Sequence, residues 1–307
     1  SSAFPVSLDF GRKSAGLPPA FRPCSPPDPM TDQTLSQALA LTPDDNGGLV
    51  ARLNGAFSNA PQAMPPEKGA PFGGLMAALC GAAARQGLGI ETPLRTLTVQ
   101  YLAAARFEPA TFVPTLLRGG RNIAYAMVAA GQPDRPALQA LATFGRDVPG
   151  PELTPLVAAA TPVDQIEPTP LDAMFGPWFT RHIEHRFESG PRLFGKNPPE
   201  SPVLRVWMRT IDRQPLDEAR LLFLLDGVYP TYWTALPAPP AISASVDLRA
   251  DLFGDLTPET SPDGWAFFEF RTCDLGGGWA VEDGVAFAPD GRPLALVRQR
   301  RKLMPTR

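Results

Sequence analysis

Gly276-Gly277-Gly278, the run Trp279-Ala280-Val281-Glu282-Asp283-Gly284-Val285-Ala286-Phe287, the cluster Pro289-Asp290-Gly291-Arg292-Pro293 and the run Leu294 to Leu303 follow one another near the C-terminus. Glycine and proline clusters mark turns, and β-rich runs between them read as strands joined by hairpins. The same order occurs in the first half: Arg118-Gly119-Gly120-Arg121, a strand from Asn122 to Ala130, the turn Pro133-Asp134-Arg135-Pro136, then Ala137 to Phe144. Further out, Leu97 to Tyr101 and the alternating run Thr111 to Leu117 match Ala244 to Leu248 and Trp265 to Arg271. A shared order of strands and turns is the signature of an internal duplication.

Each half carries a helix ahead of these strands. Gly74 to Ala84 is made of small and apolar residues, as suits a helix enclosed by a sheet over most of its circumference. Its counterpart is read over Asp217 to Val228, with Asp217 and Glu218 at the positive end of the helix dipole and Pro230 as the stop. The expected fold class is α+β, two similar units in tandem, each a long antiparallel sheet wrapped round a central helix. Residues 1–29 read as a disordered leader because a Pro-, Ser- and Gly-rich composition cannot build a core, and Met30 is a possible natural start. The first unit then spans 30–150, a Pro-rich linker 151–170, and the second unit 171–307, opening with a strand over Trp178 to Glu188.

A formal charge of −3, from 28 basic and 31 acidic side chains, and the lack of a basic stripe with interleaved aromatics leave no electrostatic case for nucleic acid. Cys24, Cys80 and Cys273 are too few and too scattered for a disulfide framework, which points to a reducing, cytoplasmic setting. No run is long and apolar enough for a membrane span or a secretory signal. His182 and His185 fall on opposite faces of a strand and cannot share a metal, so no metal site is expected. A nucleophile-elbow Gly-x-Ser-x-Gly and a dinucleotide fingerprint are both missing from the sequence.

The chain resembles the acyl-CoA thioesterase II family and its relatives, in which one chain contains two hotdog folds. The resemblance rests on Pro71-Phe72-Gly73-Gly74 opening the first helix, Leu224-Leu225-Asp226 in the second, Ser245-Val246-Asp247 opening a strand, and the ending Pro289 to Gln299. It covers about residues 60 to 304. It implies an acyl-CoA thioester as the small-molecule substrate, no cofactor beyond the coenzyme A carried by that substrate, and a water molecule held by Asp226, Ser245 and Gln299. Ser245 stands where the best-known members carry Thr. After Asp247 the family's usual His and aromatic residues are replaced by Leu248, Arg249, Ala250 and Asp251.

The residues support part of this independently. A carboxylate at Asp226, on a helical face with Leu222 and Tyr229, is costly to bury, and burial raises its pKa toward the range of a general base; the alternative is a structural Asp bonded to backbone. Gln299 shares an inward strand face with Ala295 and Val297, opposite Arg298 and Arg300, and either orients a water or satisfies backbone. Ser245 is as readily an ordinary strand-opening serine. Gly73 and Gly74 either present amides to an oxyanion or permit close chain approach. Arg298, Arg300, Arg301 and Lys302 are read first as a solvated face and second as a partner for coenzyme A phosphates.

The duplication separates these readings. Aligning Pro136 with Pro293 sets Ala142 opposite Gln299 and Thr98 opposite Ser245, and the first helix has no carboxylate opposite Asp226. A role required by the fold would recur in both halves; chemistry needs one site. The leading expectation is thioester hydrolysis in the second half, against a non-catalytic acyl-CoA binding module, with a hydratase disfavoured. Association into a homo-oligomer is left open.

Overall fold

The computed structural model describes residues 33–171, 176–188, 193–194, 202–240 and 242–304. The proposed leader, Met30 and Cys24 lie outside them. Strands β1 (Thr42–Pro43), β2 (Leu49–Arg52), β3 (Leu94–Tyr101), β4 (Pro109–Gly119), β5 (Ile123–Gln132) and β6 (Arg135–Gly145) belong to the first half. Strands β7 (Ile183–Phe187), β8 (Val203–Thr210), β9 (Ile242–Leu252), β10 (Ala266–Gly276), β11 (Trp279–Phe287) and β12 (Pro293–Met304) belong to the second. All join one sheet in the order β1-β2-β4-β5-β6-β3-β9-β12-β11-β10-β8-β7. The halves meet edge to edge through β3 and β9, antiparallel from Thr96 opposite Asp251 to Gln100 opposite Asp247.

Alternation builds the core. In β5, Ala124, Ala126, Val128 and Ala130 are buried while Ile123 and Tyr125 are exposed, so one face of the strand turns inward. After a one-turn helix, α1 (Leu35–Ala38), comes α2 (Gly73–Leu88), which packs against that face and also touches β2, β3, β4 and β6. Every residue of α2 from Gly74 to Gly81 is buried, because the sheet covers one side and α3 (Glu218–Leu224) the other. Small side chains let the two helices come close, and a Cβ at Gly74 would lie 2.7 Å from the Phe223 carbonyl oxygen. Arg85 of α2 ties the halves with an ion pair to Glu218 at 2.6 Å, and Glu218 also accepts the Leu94 amide at 2.8 Å. Among the described residues no helix is long and apolar enough to cross a membrane.

The hairpins fall where the turn residues place them, β5 to β6 and β11 to β12. At the β10–β11 turn Gly277 and Gly278 adopt φ of 58° and 75°, a region that other residues enter at a cost. Two elements differ from the expectation. The second helix runs only from Glu218 to Leu224, capped by the Asp217 side chain on the Arg220 amide, and the Gly227 amide closes a turn onto the Leu224 carbonyl. Asp226 therefore sits in the turn beyond the helix, not on a helical face with Leu222 and Tyr229. The segment expected as a strand over Trp178 to Glu188 begins as a 3-10 turn, Trp178–His182, set by Pro177, and is extended only over β7. Residues 146–171 hold no strand, but Leu156, Ala158, Val163 and Ile166 pack onto Trp207, Trp265, Phe267 and Phe287.

His185 is packed into the interior of this frame, and His182 is half-buried. His185 is 4% exposed and its Nε2 donates to the Gly227 carbonyl at 2.9 Å; His182 stacks on Phe57 and its Nε2 reaches the Ala56 carbonyl at 3.2 Å. Burial lowers each pKa from 6.5 to about 4. Because the folded values are depressed, the unfolded chain takes up protons first as pH falls, and stability is lost between about pH 6.5 and 4. His185 alone accounts for about 3 kcal/mol over that window. The raised Asp226 carboxyl works in the opposite sense and offsets part of the loss. The melting temperature is expected to drop steadily from pH 7 to 4.5; a flat profile would contradict this placement of the imidazoles.

Candidate active site

The strand period places the inward face of β12 at Ala295, Val297, Gln299 and Arg301, while Arg298 is exposed and bonded to Asp283 at 2.6 Å. Gln299 and Asp226 are each 6% exposed. Gln299 Nε2 donates to Asp226 Oδ1 at 3.0 Å and to Ser245 Oγ at 2.8 Å. Three residues far apart in sequence, from the turn after α3, from β9 and from β12, thus form one hydrogen-bonded cluster. The first-half counterpart of Gln299, Ala142, is buried and apolar.

Two residues join the cluster unforeseen. The Arg301 guanidinium, 11% exposed, pairs with Asp226 Oδ1 at 2.9 Å and donates to Ser245 Oγ at 3.2 Å and to Gln299 Oε1 at 2.6 Å. Its Nε holds Glu282 Oε2 at 3.1 Å, and Glu282, opposite Gln299 in the β11–β12 register, is itself buried. Arg301 is therefore not part of a solvated basic face. The sequence carries a signal for this, since Arg301 shares the parity of Gln299, but charge argues for the surface.

Burial drives the Asp226 carboxyl up from its ordinary value, and Arg301, the Gln299 amide and the backbone amide of Gly74 hold it back, leaving it raised overall. The first turn of α2 thereby acts on the carboxylate. The Gly74 backbone favours the ionised carboxylate, and its missing side chain serves close packing: a Cβ there would lie 2.6 Å from the Phe72 ring. Gly73 remains at the positive end of α2, with Asp226 Oδ2 3.0 Å from where its Cβ would be, and its carbonyl accepts the Tyr101 hydroxyl at 2.9 Å.

A cavity of about 410 Å³ opens beside these groups. Its apolar wall includes Phe72, Met76, Tyr101 and Leu138 of the first half and Phe179 and Trp233 of the second; Gly73, Asp226, Ser245 and Arg301 supply polar wall. Phe72 and Phe179 stack at 3.6 Å across the two halves. Gln299 does not reach this cavity. It lines a neighbouring one of about 20 Å³ with Asp226, Glu282 and Arg301, room for a single water. The segment after Asp247 points elsewhere: Leu248 and Ala250 are fully buried in the core, and Arg249 pairs with Asp251 at 2.8 Å.

The fold and this cleft between paired helices and a shared sheet define a double-hotdog protein. Residues 60–145 match the acyl-CoA thioesterase N-terminal domain and residues 157–300 the acyl-CoA thioesterase C-terminal domain. The chain belongs to the acyl-CoA thioesterase family, and its class of activity is thioester hydrolysis. Solved structures agree in fold. A hotdog protein of unknown function from Alicyclobacillus acidocaldarius has a TM-score of 0.78 at 21% identity, covering 89% of this chain and 98% of its own. A putative thioesterase from Novosphingobium aromaticivorans gives 0.71 at 20% identity, covering 87% and 99%. An acyl-CoA thioesterase II from Mycobacterium marinum gives 0.69 at 18%, covering 89% and 99%. No curated protein matches the chain.

Proposed function

We propose that this chain hydrolyses an acyl-CoA thioester by direct attack of water, with Asp226 as the base. The observation that carries the reading is the Asp226–Gln299–Ser245 cluster, with Asp226 and Ser245 beside Arg301 on the wall of a largely apolar cavity. The acyl group lies among Phe72, Met76, Tyr101 and Trp233, which excludes bulk water from the thioester. A water held against Asp226 loses its proton to the carboxylate as its oxygen bonds to the carbonyl carbon. The carbonyl electron pair moves onto oxygen near Gly73, at the positive end of α2, where charge is favoured. Collapse breaks the carbon–sulfur bond, and the departing thiolate takes the proton from Asp226. Gln299 stands behind both side chains and fixes their spacing.

Thiol release from a panel of acyl-CoA thioesters of graded chain length tests the reading. Turnover of at least one member is expected, and Gln299→Ala is expected to lower kcat about tenfold or more by freeing Asp226 and Ser245 to move. Stabilisation of the protein by acyl-CoA without thiol release across the panel would instead establish a binding module.

A further inference from the structure

The cluster has a fixed sense of donors and acceptors, and its source is Arg301. Both hydrogens of the Gln299 amide are in use, one on Asp226 Oδ1 and one on Ser245 Oγ, while Oε1 accepts from Arg301 Nη2 at 2.6 Å. Turning this amide over would set an NH2 group against a guanidinium, so the cation holds the amide one way round. Ser245 Oγ accepts twice, from Gln299 at 2.8 Å and from Arg301 Nη1 at 3.2 Å. A hydroxyl has two lone pairs and one hydrogen, so with both lone pairs taken the hydrogen points away from the two donors. Ser245 lines the large cavity, and that is the direction left. Asp226 Oδ1 likewise accepts from Gln299 and Arg301, at 3.0 and 2.9 Å, leaving Oδ2 on the Gly73 side. Arg301 is anchored from behind by Glu282, whose other oxygen takes the Thr231 hydroxyl at 2.7 Å.

We propose, resting on the water-attack reading above, that Arg301 is a positioning residue that sets the polarity of the site, so that Ser245 donates its hydroxyl hydrogen to the thioester carbonyl oxygen and Asp226 offers Oδ2 alone to the attacking water. Ser245 is then an oxyanion donor, and the proton moves from water to Oδ2 and on to the thiolate as the carbon–sulfur bond breaks. Arg301 never touches the substrate carbonyl; it acts through the other three side chains. It also carries the one positive charge facing Asp226 among the described residues. The other titratable neighbours are Glu282 of β11, the Tyr101 hydroxyl of β3, the Cys80 thiol of α2 and the Tyr232 hydroxyl beside Arg301; burial holds those two tyrosines and the thiol protonated.

The test compares Arg301→Met, Arg301→Lys and Ser245→Ala in thiol release from the best acyl-CoA of the panel. Arg301→Met is expected to lower kcat about thirtyfold with KM within about threefold, because the loss falls on the transition state. The acidic limb of its kcat/KM profile is expected to move to higher pH, since Asp226 loses the cation that favours its ionised form. Arg301→Lys returns the limb toward its original position while recovering only part of kcat, because an ammonium lacks the planar fork. Ser245→Ala lowers kcat without moving the limb. If Glu282 left without its cation prevents folding, the double variant Arg301→Met with Glu282→Gln removes the Arg301–Glu282 pair and carries the same expectations. A wild-type kcat and limb in a folded Arg301→Met or in the double variant, or full kcat in Arg301→Lys, would overturn the proposal. Failure of the underlying reading is seen separately, as full turnover in Asp226→Asn.

Discussion

Asp226→Asn is expected to reduce kcat for acyl-CoA hydrolysis a hundredfold or more while leaving acyl-CoA binding within a few fold. The side chains are nearly the same shape, so the cavity persists. What changes is the loss of a proton acceptor, and general-base catalysis is worth about a hundred- to ten-thousandfold. A second effect adds to the first. Asp226 Oδ1 accepts from both Gln299 and Arg301, and an amide in its place either keeps its oxygen there, turning NH2 toward Gly73, or sets NH2 against two donors. Neither arrangement leaves a basic atom for water. Equal kcat in the two proteins would remove Asp226 from the mechanism, even with hydrolysis itself established.

Gly74→Ala is expected to damage fold and activity together. The new Cβ would fall 2.6 Å from the Phe72 ring and 2.7 Å from the Phe223 carbonyl oxygen. A ring can swing aside; the backbone of α3 cannot, so α2 must lift away from α3. Overpacking of this kind costs about 1–3 kcal/mol, and here it also shifts the first turn of α2, which faces Asp226. A clear drop in melting temperature and thiol release lowered about tenfold are expected. Gly276→Ala, with nothing within 4 Å of its added carbon, serves as the control. A Gly74→Ala protein that melts and turns over like the wild type would refute the close approach of the two helices.

The strand order was legible because turn residues announce themselves: Gly277-Gly278, Pro133 to Pro136 and Pro289 to Pro293 bracket runs whose alternation needs no tertiary context. Asp226, Ser245 and Gln299 were legible through resemblance and through the asymmetry of the halves, and the fold brings them together. Less was readable where two physical rules disagree. Arg301 and Glu282 have the inward parity of their strands but the charge of surface residues, and only their mutual pairing, invisible along the chain, resolves the conflict. The end of α3 was misplaced because apolar residues continue past Leu224, while Gly227 turns the chain first. Strand β8 is legible too, in the alternation of Leu204, Val206 and Met208 with Arg205 and Arg209 behind the turn-forming run Asn197 to Pro202. The first half takes part in the site as well, since Phe72, Met76 and Tyr101 line the cavity and Gly73 faces Asp226 Oδ2.

The most direct test of a raised, ionised Asp226 as the base is the pH dependence of kcat/KM for thiol release, with folding verified at each pH. The expected result is a single acidic limb set by a carboxyl above the ordinary aspartate value of 3.8, with activity falling as pH drops through it, and no such limb in the residual activity of Asp226→Asn. A profile without an acidic limb, or the same limb in both proteins, would contradict it.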